Sequence, residues 1–113
     1  MPDPKKHHQQ GLNEGVKNYS QSKSLPIFGN FVPLTGSGTF KFSGFKIHIY
    51  ATSEDDVVLI LSKIYDLVKR AGCTMKAATA SFFSATKDTV NPQHGKGITI
   101  YLPFSMVATN GHW

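Results

Sequence analysis

Lys46 and His48 stand two residues apart in the run Phe45-Lys46-Ile47-His48-Ile49-Tyr50-Ala51. Strict alternation predicts a strand over 45–51, with Phe45, Ile47, Ile49 and Ala51 on its buried face and Lys46, His48 and Tyr50 on the other. Side chains two residues apart on a strand are about 7 Å apart, so Lys46 and His48 can act on one ligand. Lys76 lies on the next predicted strand, 73–77, and Lys87 and Lys96 flank a polar loop. If the two strands are neighbours, these five nitrogen-bearing groups ring one cleft, and no carboxylate belongs to the pattern. Such a ring suits a phosphate dianion. Lysine on an open strand face is an ordinary solvated feature, as histidine beside it can be, and spacing alone favours that reading over a functional Lys46/His48 pair.

The elements that must position these groups are legible to different degrees. Ser53 is a good helix N-cap, and Glu54, Asp55 and Asp56 follow it at the positive end of the helix dipole. Val57, Ile60, Leu61, Ile64, Tyr65 and Val68 then form one apolar stripe, and Lys69, Arg70 and Gly72 suit the helix end. The main helix is therefore predicted over about 53–71, and the acidic triplet is explained by capping without any metal or catalytic role. A strand, a helix and a strand imply a crossover unit, right-handed if the two strands are parallel in one sheet. A shorter second helix is predicted over about 79–87, with Phe82 and Phe83 directed inward. Ile98 to Leu102 alternates as a strand, with Thr99 and Tyr101 on its second face, and Pro103 should end it. Upstream, apolar residues from Ile27 to Phe45 are punctuated by glycine, and Thr35-Gly36-Ser37-Gly38 reads as a turn between two short strands. It lacks the Lys-Ser/Thr of a P-loop.

The chain has 113 residues, with 12 basic against 7 acidic side chains and a net charge of +5. One domain is expected at this length. Residues 1–24 are read as a flexible polar N-terminal arm, with a short helical turn near Asn13 to Tyr19; residues 25–113 form a single α+β domain. His7-His8 has too few partners to define a metal site. The single cysteine, Cys73, excludes an internal disulfide and reads as a small buried residue in a reducing, cytoplasmic protein. No stretch approaches the roughly 18 apolar residues of a membrane span. Basicity suits an anionic partner, but Arg70 is the only arginine. This argues against a nucleic-acid reader built on guanidinium forks. Phe40, Phe42 and Phe45, interleaved with Lys41 and Lys46, also fit a nucleic-acid stacking surface, but their parity favours buried strand faces. A phosphodiesterase with paired His-x-Ser/Thr motifs is excluded, since His48 leads to Tyr50 and His94 to Lys96.

The run Gly44-Phe45-Lys46-Ile47-His48-Ile49-Tyr50-Ala51-Thr52 before a capped helix resembles a segment of the lyase domain of class III and IV lanthipeptide synthetases. That domain is similar in turn to the type III effector phosphothreonine lyases. The resemblance continues through Met75-Lys76, Thr86-Lys87 and Gly95-Lys96-Gly97-Ile98-Thr99-Ile100-Tyr101, and covers about residues 44–103. It implies elimination of phosphate from phosphoserine or phosphothreonine without a metal or cofactor. In that reading Lys76 is the base that removes the Cα proton, His48 is the acid that protonates the departing phosphate, and Lys46 stabilises developing negative charge. Lys87, Lys96 and Tyr50 are expected to hold phosphate. A lysine base acts in its neutral form and a histidine acid in its charged form, and bound phosphate favours the second. The chain departs from the family in lacking the arginines that grip phosphate, in placing Tyr50 where a small serine is usual, and in the Leu102 that precedes Pro103.

The sequence thus predicts an α+β fold with a small mixed or antiparallel sheet. The expected function is that of a minimal phosphothreonine or phosphoserine lyase. The alternatives are a non-catalytic binder or inhibitor, viral or bacterial, using the same cleft, or a basic nucleic-acid-binding protein. The expected partner is a phosphorylated peptide or protein, or a phosphate-containing small or nucleotide-like ligand. No membrane partner is expected, and the oligomeric state is left open.

Overall fold

A computed structural model of the chain describes residues 4–23, 30–36 and 40–110, with side chains described over 14–23, 30–36 and 40–107. The elements are α1 (Pro4–Lys23), β1 (Phe31–Thr35), β2 (Phe42–Ile49), α2 (Glu54–Arg70), β3 (Thr74–Ala78), α3 (Ala80–Ala85), β4 (Ile98–Pro103) and α4 (Phe104–Asn110). The fold is α+β. Its four strands form one antiparallel sheet in the order β1-β3-β4-β2.

Helix α2 forms for the reasons its sequence contains. The Ser53 Oγ accepts from the Asp56 amide at 3.1 Å, and the Asp56 carboxylate accepts from both the amide and the hydroxyl of Thr52. Those bonds from Thr52 hold the Asp56 carboxyl below its ordinary range, so the acidic triplet serves the cap. Val57, Leu61, Tyr65 and Val68 are buried at helical spacing. They meet Val32, Met75, Ala77, Ile98 and Ile100, the apolar alternate residues of three strands. Cys73 is buried at the edge of this core, and burial pushes its thiol up.

The crossover is not made between neighbouring strands. β2 and β3 each pair antiparallel with β4, so they run parallel to one another with β4 between them. β4 takes the central place because Ile98, Thr99 and Ile100 are all buried, on both of its faces. The strands that flank the glycine-rich turn are not a hairpin either. They are the two opposite edges of the sheet, and Ser37 and Gly38 of the turn lie outside the described residues.

The expectation of a flexible polar arm over 1–24 is corrected for Glu14–Lys23. This stretch belongs to α1 and packs on α2 and β1. Its buried stripe is only Gly15 and Tyr19, four residues apart. A Cβ on Gly15 would stand 2.9 Å from Tyr65 Cβ, so only glycine lets α1 approach α2 this closely. Tyr19 is fully buried and donates its hydroxyl to the Ala78 carbonyl at 2.6 Å. Asn18 donates to Tyr65 Oη at 2.8 Å, and Lys23 pairs with Glu54 at 3.0 Å. A polar helix is fastened here by one aromatic anchor and a few polar contacts, which apolar composition does not reveal. No described helix is long and apolar enough to cross a membrane.

Candidate functional site

Helices α1 and α2 cover one face of the sheet, and the other face carries the charged residues. Register places His48 opposite Thr99 and Thr99 opposite Lys76, one row across β2, β4 and β3. The next row is Lys46, Tyr101 and Thr74. With strands about 4.8 Å apart, His48 and Lys76 are separated at the backbone by about 10 Å, across Thr99. Lys46, His48 and Lys76 therefore share one face as predicted, although their strands are not adjacent.

Local contacts hold these groups in place. His48 Nδ1 lies 3.2 Å from the Thr99 hydroxyl, which is buried between the longer side chains on either side. Lys76 Nζ sits 4.3 Å from the centre of the Phe31 ring and 5.6 Å from that of Tyr101. Lys46 Nζ lies 5.8 Å from the centre of the same Tyr101 ring. Partial burial lowers the pKa of His48 from its ordinary value, and Lys96, Lys46 and Lys76 lower it further. The charges that act on His48 are thus all cationic, and the site is electropositive before any anion arrives.

Lys96 lies beside Ala51, with which it forms an isolated bridge just past the end of β2, and its charge is among those that lower the His48 pKa. Lys87 and Tyr50 fall in a different place. They line a pocket of about 290 Å³ beyond the end of β2, with Thr52, Phe83, Thr86, His94 and Gly95. Here His94 Nδ1 donates to the Thr86 carbonyl at 2.7 Å, which leaves Nε2 facing Tyr50 Oη at 3.4 Å. Gly95 has φ +83, and a Cβ there would meet the Tyr50 ring at 2.5 Å. The single ring of five nitrogen groups is therefore corrected to a sheet face with Lys46, His48, Lys76 and Lys96, and an end pocket with Lys87 and His94. The cause is the path of β2, which ends at Ile49 and carries Tyr50 past the sheet toward the 88–96 loop.

A second correction concerns the phenylalanines. Phe42 and Phe45, expected in the core, are 45% and 59% exposed, while Phe40 is half-buried. The register of β2 slips between Phe42 and Lys46, where Ser43 Oγ accepts from the Phe45 amide and donates to the Leu102 carbonyl. Phe42 packs edge-on against Tyr101 at 5.3 Å. Phe45 and Ile47, on an edge strand, stand out beyond the cover of the helices, and only Ile49 and Ala51 turn under it. Thr99, Tyr101 and Phe31 are the site residues that sequence reasoning passed over. The alternation of 98–102 already set Thr99 and Tyr101 apart, but only register aligned them with Lys46 and His48. Among the described residues no group of three or more His, Cys, Asp or Glu is placed to hold a metal ion.

Comparison with known proteins adds no relative: no family model, no curated protein and no solved structure matches the chain, and none links it to the lanthipeptide synthetase lyases.

Proposed function

We propose that this protein binds a phosphate monoester on the open face of its sheet and eliminates the phosphate from phosphothreonine or phosphoserine. The observation that supports the reading is the row Lys76-Thr99-His48, with Lys46 one position along and only lysine charges acting on His48. A phosphate dianion seated there offsets the mutual repulsion of the cations and favours the charged form of His48. In the chemical step, Lys76, once it has given its own proton to solvent, takes the Cα proton, and the C–H electron pair forms the Cα–Cβ double bond. The Cβ–Oγ bond breaks, and the departing phosphate carries away that bonding pair. Imidazolium His48 returns a proton to the leaving oxygen. Nothing is oxidised or reduced, and the products are a dehydroamino acid and phosphate. The buried free Cys73 suits a reducing, cytoplasmic setting.

Phosphothreonine peptides incubated with the protein should lose one molecule of phosphoric acid by mass spectrometry. Lys76→Ala and His48→Ala should abolish the loss. A panel of phosphopeptides unchanged by the parent protein would overturn the elimination step. Retained affinity for those peptides, without product, would identify a non-catalytic binder. Equal affinity for phosphorylated and unphosphorylated peptides would end the phosphate reading altogether.

A further inference from the structure

The open face carries more than cations. From β1 to β2 it presents Phe31, Lys76, Tyr101, Lys46 and Phe42, so that aromatic and cationic side chains alternate across the sheet. Each lysine lies within 6 Å of an aromatic centre: Lys76 at 4.3 Å from Phe31, and Lys46 at 5.8 Å from Tyr101. Phe31 is backed by the ring of buried Phe82 at 4.6 Å and Tyr101 by Phe42 at 5.3 Å, so both rings are braced from one side. Phe42 itself stands 45% exposed. A phosphate monoester uses the cations and leaves these rings without a role.

We infer that the Phe31-Lys76-Tyr101-Lys46-Phe42 band is a binding platform for single-stranded nucleic acid. Bases stack on aromatic side chains and phosphodiesters pair with neighbouring lysines, and a four-stranded sheet has room for two or three bases. The band crosses three strand spacings, about 14 Å. All acidic side chains described lie on helices or in the 88–96 loop, and none projects from a strand. The scarcity of arginine fits such a platform, because stacking reads no base edges and needs no guanidinium fork. The proposed partner is therefore a single strand bound with little sequence preference. This inference is independent of elimination chemistry, although it shares Lys46 and Lys76 with it.

The test is fluorescence anisotropy with a labelled oligonucleotide of about ten nucleotides, in RNA and DNA forms, against a phosphothreonine peptide. Single strands should bind. With Lys46, Lys76 and Lys96 engaged, the logarithm of affinity should fall with the logarithm of salt at a slope of about −2. Phe42→Ala, at an exposed position, should weaken oligonucleotide binding by about tenfold while leaving phosphopeptide affinity intact, and Tyr101→Ala should weaken oligonucleotide binding at least as much. Tyr101→Phe should retain binding, which separates stacking from any general damage to the sheet. Oligonucleotide affinity that is absent, or unmoved by Phe42→Ala and Tyr101→Ala, would overturn the platform and leave the phosphate monoester reading standing. Oligonucleotide binding without phosphopeptide binding would support the platform and remove the other reading.

Discussion

The two faces of the sheet are built on opposite terms. The helix-covered face is apolar from Val32 to Ile100 and is sealed by α1 and α2. The open face gathers Lys46, His48, Lys76 and Lys96, whose mutual repulsion the fold tolerates. One face contributes burial, at roughly 25 cal/mol per Å² of apolar surface. The other contributes a field that an anion can neutralise. Stability and function are thus assigned to different sides of the same strands, and alternate residues of β2 and β3 belong to one or the other. Thr99 is the exception, a polar residue buried on the open face, and it is held by His48.

The sharpest way to break this division is to cut the covered face. Leu61→Ala, at a fully buried position, should cost about 2–5 kcal/mol in urea unfolding. A smaller loss is expected from Tyr19→Phe. It leaves the buried Ala78 carbonyl without its 2.6 Å donor, and should cost about 1–3 kcal/mol. That result would also confirm α1 as part of the folded unit, since a detached arm would register no change. Lys46→Ala should stay within about 0.5 kcal/mol of the parent, yet weaken phosphopeptide affinity; a large stability loss would show that the open face is structural after all.

The smallest effect concerns pH. The folded-state pKa of His48 lies below its ordinary 6.5, so the unfolded chain binds the proton more readily. The stability contributed by neutral His48 is present above pH 6.5 and declines as pH falls from there toward the folded-state value. His48→Gln should flatten that decline in denaturation curves recorded between pH 7.5 and 5. A bound phosphate should act in the opposite sense, drawing a proton onto His48 and strengthening phosphopeptide binding by the parent relative to His48→Gln as pH falls.

Much of this division was legible in the residues themselves. Capping by Ser53, the stripe from Val57 to Val68 and the alternation of 45–51 and 98–102 are local signals. Local signals survive into the fold because they depend on periods of 3.6 and 2.0. The same alternation misjudged Phe45 and Ile47, because a period assigns residues to a face without saying how far a helix extends over it. Tyr19 was missed for the converse reason: a helix with one buried aromatic and one glycine has almost no apolar stripe to read.

By itself, then, the sequence determined the α+β class, the main helix and the common face of Lys46 and His48, all consequences of short-range geometry. Only the tertiary structure decided that β4 enters between β2 and β3. That insertion sets Thr99 and Tyr101 between the cations and leaves Phe42 beside Tyr101 on the open face, while the path of the chain past Ile49 takes Tyr50 to the end pocket beside Lys87. Strand order depends on which buried surfaces fit together across the whole chain, with Ile98, Thr99 and Ile100 suited to the centre on both faces, and no local period encodes that choice.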